Sequence, residues 1–345
     1  MLEDPIKIGP IVLAPFNLPL KRRLQTLGAL YYSFMTFFFP FINMFLCFYL
    51  LFFKSYWWVL GLYSIFYIYD FKTPRNGGRP SHFVQRSIIH KWFADYFPIK
   101  LIKTADLPPD QNYLLGYHPH GVISIGAIST FGTAAVGVFE KFAGLKIRVA
   151  TLWGNFIVPL RREFLLAYGL IDCSRESLEH VLSSEEKGNA VVLAIGGAEE
   201  AIEAHPGGLE VLTLQRRKGF IKVALRSGAH LVPVFGFGEN ELFTQLENPE
   251  GSRIRSVQKF VKKLTGVTPM LFYGRGVFNY SFGYLPYRVP LNIVVGRPIP
   301  VEKVEEPTDE QIDELHARYV EALTELFESN KEKYGVIKDA ELIVS

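Results

Sequence analysis

The chain has 345 residues, of which 49% are hydrophobic and 21% charged, and its formal net charge is +3. This length suits about two average domains, or one large α/β domain with an appended segment. The small positive charge argues against a nucleic-acid-binding protein, which would carry a strongly basic face. A structural disulfide is not expected, because Cys47, one of two cysteines, lies in an apolar stretch.

The first predicted element is a membrane hairpin. No charged residue occurs from Leu24 to Phe53, which exceeds the about 20 apolar residues that cross a bilayer, and Pro40 predicts a kink. A second uncharged run at 56–69 would be about 21 Å long as a helix, which suits a tilted or re-entrant return. Cations flank both sides, so both ends are expected in the cytoplasm. A buried core hairpin is one alternative, but the run is too long and too aromatic for it. A cleaved signal peptide is the other, but the run begins too far from the N-terminus and is longer than the apolar region of a signal peptide.

The rest of the chain predicts one α/β domain. The expected division is an N-terminal cytoplasmic arm at 1–23, the hairpin at 24–71, the α/β domain at 72–335 and a tail at 336–345. Residues 81–97 mix aromatic and cationic side chains, which predicts an amphipathic helix at a membrane interface or against the core.

Beyond residue 97, short apolar runs alternate with helical patterns, which predicts a mostly parallel sheet covered by helices. The predicted strands are Tyr113–Tyr117, Ile147–Thr151, Ala190–Ile195, Leu231–Phe237 and Leu291–Val295. The predicted helices follow His120, span Ser174 to Ser184 and Lys218 to Arg226, and run from Thr308 to about Lys331.

Two histidines follow the first of these strands, in Tyr117-His118-Pro119-His120-Gly121. Strand ends carry the chemistry of α/β folds, and histidine exchanges protons near neutral pH, so the pair predicts a general base for an incoming hydroxyl. Three alternatives stay open. One is a metal site, which would need more ligands than stand nearby, and another is a structural histidine pair. The third is a nucleophile at Ser124, whose flanks carry one residue more than the G-x-S-x-G elbow.

Two further segments could contact substrate. Gly196-Gly197-Ala198-Glu199-Glu200-Ala201 follows a predicted strand, where glycines let the backbone approach a ligand and a carboxylate could orient a hydroxyl or a histidine. Arg216-Arg217-Lys218-Gly219 places cations at a predicted helix start, which attracts anions. Together with Arg162 this predicts binding of a phosphate-bearing, CoA-type donor. A solvated turn and a solvated basic face are the respective alternatives.

Six short motifs follow one another along the chain: Tyr96-Phe97-Pro98, His118-Pro119-His120-Gly121, Pro159-Leu160-x-Arg162-Glu163, Gly196-Gly197-Ala198-x-Glu200, Arg217-Lys218-Gly219-Phe220 and Phe237-Gly238-Glu239-Asn240. In this order they resemble the type-2 diacylglycerol acyltransferase family, which also includes monoacylglycerol acyltransferases and wax synthases. The resemblance covers about residues 20–335, and the spelling His-Pro-His-Gly is similar to the animal form.

The resemblance implies a glycerolipid-acyltransferase-like fold and a membrane O-acyltransferase of the endoplasmic reticulum and the lipid droplet surface. The implied reaction moves a fatty acyl group from acyl-CoA to the free hydroxyl of diacylglycerol, which makes triacylglycerol. Monoacylglycerol or a fatty alcohol as acceptor, an esterase, and a non-catalytic lipid-droplet binding protein stay open as alternatives. Acyl-CoA is the expected co-substrate with no further cofactor, the bilayer is an expected partner, nucleic acid is not, and a homo-oligomer stays open.

The resemblance also implies roles for individual residues. We predict His120 as the base and His118 as an assisting group. The wider glycerolipid acyltransferases have a His-x4-Asp motif, but here Ile123 and Ile125 stand where its aspartate would be, so Glu200 is the predicted carboxylate partner. No metal ligand is predicted. The predicted substrate-binding residues are Gly121, Arg162, Glu163, Gly196, Gly197, Arg217, Lys218, Gly219, Glu239 and Asn240.

Overall fold

The computed structural model describes residues 6–197, 200–201, 210–246, 251–265, 271–336 and 342–344. Part of the predicted arm, Ala198 and Glu199 of the glycine-rich motif, and part of the predicted tail lie outside the described residues. The strands are β1 Ile6–Ile8, β2 Ile11–Leu13, β3 Ile99–Lys103, β4 Tyr113–His118, β5 Lys146–Thr151, β6 Leu170–Asp172, β7 Asn189–Ala194, β8 Glu210–Leu212, β9 His230–Phe237, β10 Thr244–Gln245, β11 Phe272–Tyr273, β12 Leu291–Val295 and β13 Leu342–Val344. The α-helices are α1 Leu20–Ser33, α2 Phe39–Phe52, α3 Trp57–Tyr69, α4 His82–Gln85, α5 Ile88–Tyr96, α6 Ile125–Phe131, α7 Val138–Lys141, α8 Arg161–Ala167, α9 Arg175–Leu182, α10 Gly219–Ser227, α11 Arg253–Thr265 and α12 Asp309–Glu328.

Within the described residues the main sheet has seven strands in the order β3-β12-β9-β4-β7-β5-β6. All neighbouring pairs are parallel except β12 and β9, which are antiparallel. The prediction of a mostly parallel α/β sheet is confirmed, and the five predicted strands match β4, β5, β7, β9 and β12 to within one residue at each end.

Alternate residues of β4 enter two different hydrophobic cores. Tyr113, Leu115 and Tyr117 pack in the core that α5 and α6 cover, whereas Leu114 packs in the core that α9, α10 and α12 cover. This is the period of two that a pleated strand imposes on its side chains. The sheet is therefore covered by helices on both faces. Successive residues near the end of β4 face different cores.

The predicted hairpin forms helices, but its first helix begins before residue 24. Leu20–Phe52 is one continuous helix, and within the described residues it alone is long and apolar enough to cross a membrane. Its α1 part packs on α5, where a Cβ added to Gly28 would lie 2.7 Å from the backbone nitrogen of Phe93. The boundary expected at residue 24 thus lies inside a helix whose first 14 residues, α1, pack on the α/β domain.

The kink predicted at Pro40 stays a prediction, but the helix is irregular just before this residue. The segment Phe34–Phe38 is π-helical and ends just before α2. Proline has no N–H to donate to the carbonyl four residues earlier, which here belongs to Thr36. That carbonyl instead accepts a hydrogen bond from Arg161, at 3.3 Å.

The single helix predicted at 81–97 is wrong, because the segment forms two helices, α4 and α5. Gln85 is held between them by tertiary hydrogen bonds, since its carbonyl accepts from Ala134 N–H at 2.9 Å and its side chain donates to the Tyr168 carbonyl at 3.1 Å. Phe93 is buried in the core whereas Phe83 is 90% exposed. The core-facing alternative therefore holds for Phe93 of α5, whereas the membrane-interface alternative stays a prediction for exposed residues such as Phe83.

Candidate active site

A cavity of about 540 Å³ lies between the helix Leu20–Phe52 and the carboxyl ends of β5, β6 and β7. Carboxyl ends of parallel strands are where α/β folds bind their ligands. The wall is mostly apolar, and a few polar groups interrupt it, among them His120, Asn155, Arg161 and Arg217. The helix contributes Tyr31, Tyr32, Ser33, Met35, Thr36 and Phe39.

The His120 ring lies in this wall and is set up to accept a proton. Its Nδ1 lies 3.0 Å from the carbonyl oxygen of Gly121. A carbonyl can only accept, so Nδ1 carries the hydrogen and Nε2 is the unprotonated nitrogen. Burial lowers the pKa of the ring below its usual value, and the Gly121 bond opposes this only in part. A neutral imidazole with a basic Nε2 is therefore the form present at neutral pH.

Glu200 supports the main chain of this turn rather than the imidazole. One carboxylate oxygen accepts the backbone N–H of His120 and the other accepts that of Thr213, at 3.1 Å. Burial raises the pKa of Glu200 to about 7, although both N–H donors act in the other direction. The hydrogen-bond partner of the His120 ring is the Gly121 carbonyl. The prediction that Glu200 pairs with the ring is therefore wrong, because Glu200 binds the backbone N–H of His120.

Gly196 provides the space that Glu200 occupies. A Cβ at this position would lie 2.0 Å from a Glu200 carboxylate oxygen. The first glycine of the motif is thus explained by a side chain of the protein and not by a ligand. The second, Gly197, does line the cavity.

His118 lies outside the cavity wall, on the opposite face of the sheet. It is fully buried, and its Nε2 is 3.1 Å from the Tyr319 hydroxyl. That hydroxyl donates to the Gly116 carbonyl at 3.2 Å, so it accepts from Nε2–H of His118. Burial lowers the pKa of His118 to about 3. The assisting role predicted for His118 does not fit this position, which makes it a structural histidine.

Glu239 and Asn240 lie beneath the turn and are not among the described residues of the cavity wall. Glu239 accepts the Tyr117 hydroxyl at 2.7 Å and the Gly126 N–H at 2.9 Å, and burial raises its pKa to about 7. Gly121 has φ +58, and a Cβ there would lie 2.6 Å from Cγ of Glu239. Glu239 supports the turn and leaves room only for a glycine at 121, so the predicted direct binding of substrate by Glu239 and Asn240 is corrected.

Ser124 does not resemble an activated nucleophile. Its hydroxyl donates to the carbonyl oxygen of His120, at 2.9 Å. An activated serine instead bonds the imidazole nitrogen that takes its proton. The alternative of a serine hydrolase is therefore not supported by this geometry.

The predicted phosphate-binding residues separate into exposed and buried ones. Arg217 lines the cavity, and its charge favours the ionised form of Glu200. Lys218 and Gly219 are exposed outside the described wall, and Lys218 pairs with Asp313.

Arg162 and Glu163 bind the hairpin instead of a ligand. Arg162 has 0% exposure and donates to the carboxylate of Asp70, at 2.6 Å, and to its carbonyl. Glu163 accepts the hydroxyl of Tyr63 at 3.0 Å. A guanidinium with no exposed surface cannot reach a coenzyme, so the prediction that Arg162 binds phosphate is wrong.

The neighbour of Arg162 in the sequence is the arginine that reaches the cavity. Arg161 lines the cavity, where it donates to Asn155 Oδ1 at 2.9 Å. Adjacent residues of a helix point about 100° apart, so the two side chains cannot share one environment. Which of the two arginines faces the cavity depends on the tertiary structure, because the sequence places both at the same helix start.

Comparisons with known proteins extend the motif resemblance to nearly the whole chain. The profile of the family described as diacylglycerol acyltransferase matches residues 49–345. The chain is 46% identical over 330 residues to 2-acylglycerol O-acyltransferase 1 of Bos taurus, which covers 96% of this chain and 98% of that protein. It is 44% identical over 317 residues to diacylglycerol O-acyltransferase 2 of Dictyostelium discoideum, with coverages of 92% and 94%. For diacylglycerol O-acyltransferase 2 of Danio rerio the identity is 46% over 291 residues, with coverages of 84% and 80%.

Among solved structures, the 1-acyl-sn-glycerophosphate acyltransferase PlsC of Thermotoga maritima matches with a TM-score of 0.39 and 11% identity. The match covers 88% of this chain and 97% of that one. At this TM-score the fold assignment rests on the sheet described above.

Proposed function

We propose that this chain, which belongs to the diacylglycerol acyltransferase family, transfers a fatty acyl group from acyl-CoA to the free hydroxyl of diacylglycerol. It is an acyltransferase, and relatives named diacylglycerol O-acyltransferase 2 share 44% and 46% identity with it. The observation that carries the proposal is the neutral His120 ring in the wall of a cavity that the candidate membrane helix also lines. This position would give one base access to a lipid hydroxyl.

The reaction needs one proton transfer and one acyl transfer. Nε2 of His120 removes the hydroxyl proton while the oxygen attacks the thioester carbonyl carbon. The carbon–sulfur bond of the tetrahedral intermediate then breaks, and the CoA thiolate takes the proton back from the imidazolium. The backbone N–H of Gly121 is our candidate donor to the oxyanion. The products are triacylglycerol and CoA, with no covalent acyl-enzyme.

The walls of the cavity suggest how the two substrates approach. Arg217 lies on the Glu200 side, where its cation suits the phosphates of acyl-CoA. The opposite wall is the apolar helix, which suits an acceptor arriving from the lipid phase. We propose acyl-CoA as co-substrate and no further cofactor.

The exposed apolar surface supports residence in a membrane. Phe45 is 76% and Phe52 83% exposed, which is unfavourable in water and favourable in hydrocarbon. We propose that α2 and α3 are embedded in the endoplasmic reticulum bilayer, with both chain ends cytoplasmic, and that the protein also reaches the lipid droplet surface.

Monoacylglycerol is the second candidate acceptor. The relative from Bos taurus with 46% identity is named 2-acylglycerol O-acyltransferase 1. A panel of diacylglycerol, monoacylglycerol and a long-chain alcohol, each offered with one acyl-CoA, separates these activities by the product formed. A non-catalytic lipid-droplet protein would form none of the products.

The central test uses purified full-length protein, labelled acyl-CoA and diacylglycerol. Wild type should form triacylglycerol, and His120→Ala should lower kcat about 10²- to 10⁴-fold, the usual contribution of a general base. The matched control is His180→Ala, because His180 is exposed on α9. Wild-type turnover in folded His120→Ala would show that another group is the base.

A further inference from the structure

Arg161 is a cation in the cavity wall without a carboxylate partner. Its Nη atoms donate to the neutral oxygens of Asn155 and Thr36, at 2.9 and 3.3 Å. Its Nε is buried without a hydrogen-bond partner, and no carboxylate of the described chain lies within salt-bridge distance. For a partly buried cation this state is unfavourable, since its desolvation is not offset by an opposite charge. A bound group with acceptor oxygens would offset the cost.

The position of Arg161 indicates which substrate supplies those oxygens. Its bond to the Thr36 carbonyl connects it to the helix Leu20–Phe52, four residues before Pro40, which has no N–H to donate there. Arg217, the other arginine of the cavity wall, interacts with Glu200 instead. Arg161 is therefore the cation joined to the lipid-facing helix, and Arg217 is the one beside the catalytic turn.

The cavity wall around Arg161 is apolar, which suits the hydrocarbon chains of a lipid that carries only a few oxygen atoms. Phe39 and Phe164 pack edge to face, with ring centroids 5.3 Å apart, and both line the cavity near Arg161. An acylglycerol carries ester carbonyls beside its hydrocarbon chains. Arginine binds such acceptors with directed hydrogen bonds through a planar group.

We propose that Arg161 binds an ester carbonyl of the acceptor acylglycerol and so directs its free hydroxyl toward His120. The proposal rests on the proposed function and adds a specific contact to it. Arg161 would then discriminate between acceptors by their ester groups, while acyl-CoA binding would depend on Arg217.

A matched pair of acceptors tests this contact. A 1,2-diacylglycerol and a 1,2-dialkylglycerol of equal chain length have the same free hydroxyl, but the ether lipid has no carbonyl. Wild type should use the diester with kcat/KM about 10- to 100-fold higher, the range of a hydrogen bond to a charged group. Arg161→Met should reduce the diester to the level of the diether and leave the KM for acyl-CoA unchanged. The control Arg175→Met, an exposed arginine of α9, should keep the wild-type preference.

The possible outcomes distinguish failure of the proposed Arg161–ester contact from failure of the proposed acyltransferase activity. Equal use of diester and diether by wild type would overturn it without any variant, so the test does not depend on folding of Arg161→Met. An Arg161→Met enzyme that keeps its ester preference but has a raised KM for acyl-CoA would also overturn it, by assigning Arg161 to the donor. Failure of wild type to acylate either lipid would contradict the proposed function itself.

Discussion

The turn after β4 places two imidazoles in different environments although they are two residues apart. His118 is the last residue of the strand, and the pleat directs it to the same face as Leu114, where α12 covers the sheet. His120 follows the strand end and lies in the cavity wall. Burial lowers the pKa of both rings, and only His120 has a backbone carbonyl partner that opposes the shift.

Removal of the Tyr319 hydroxyl should affect stability more than catalysis. Tyr319→Phe leaves Nε2–H of His118 and the Gly116 carbonyl without this partner, at a cost of about 1–3 kcal/mol for an unsatisfied buried group. We expect a lower melting temperature with near wild-type turnover per folded molecule, measured by thermal unfolding and initial rates. Tyr273→Phe, at a partly exposed tyrosine, is the control. Lost turnover at unchanged stability would assign His118 a part in proton transfer.

Glu239 should make the protein less stable as pH rises. Its pKa is about 7 in the folded chain, against about 4.3 when unfolded, so the folded state binds the proton more tightly. That stabilisation is complete below pH 4.3 and is lost as pH rises through 7. Glu239→Gln should therefore reduce the fall in melting temperature between pH 5 and pH 8. An unchanged pH dependence in Glu239→Gln would mean that Glu239 is ionised throughout, held so by Tyr117 and Gly126.

At the residue scale, the motifs show which segments of the chain form the site, but they do not show which side chains of those segments face the cavity. The histidine motif led to His120 and the basic motif led to Arg217, both of which line the cavity. Arg162 belongs to a motif too, but it faces Asp70, and its neighbour Arg161 faces the cavity. Sequence patterns do not separate these cases, because a buried ion pair and a ligand contact both require an arginine.

At the element scale, one buried ion pair fastens the end of the hairpin to α8. Asp70 directly follows α3, and its carboxylate accepts from Arg162 at 2.6 Å and from Arg79 at 2.8 Å. Arg162 is buried while the Arg79 side chain is 47% exposed. The same carboxylate thus forms a buried pair and a solvent-screened one.

The two partners of Asp70 should differ in their energetic contribution. Arg162→Met leaves Asp70 buried with less compensation, and losing one partner of a buried pair costs about 3–5 kcal/mol. Arg79→Met is the matched control, because an exposed pair contributes about 0–1 kcal/mol. Thermal unfolding of both variants in the same detergent measures the difference. Equal destabilisation would mean that water reaches the Arg162 pair.

Four of the five strands that the sequence predicted are largely buried, whereas β5 has an exposed Lys146 and was predicted from its apolar residues Ile147, Val149 and Ala150. β4 and β12 are buried throughout, so each appears as an uninterrupted apolar run. β3 escaped prediction because it is an edge strand with exposed Lys100 and Lys103, and β6 because it has only three residues. The break between α4 and α5 depends on tertiary bonds of Gln85, which no local pattern records.

At the scale of the whole molecule, the hairpin is anchored to the same domain at both ends. α1 rests on α5, and Asp70 after α3 is paired with Arg162 of α8. From Phe34 to Phe52 the helix is about 28 Å long, close to the hydrocarbon thickness of about 30 Å, whereas α3 is only about 20 Å long. The short return is consistent with a tilted or re-entrant α3 in a locally thinned bilayer.

This double anchoring predicts that both chain ends lie on one side of the membrane. A tag at either terminus should be digested by protease added to sealed microsomes, because neither hairpin end can leave the side that holds the α/β domain. In the proposed topology the positive flanks predict that this side is the cytoplasm. A resident lumenal protein, which should survive until detergent is added, reports that the vesicles are sealed. Protection of the N-terminal tag alone would require α1 to leave α5, and the cavity wall that α1 and the residues up to Phe39 provide would then be absent from the membrane-bound enzyme.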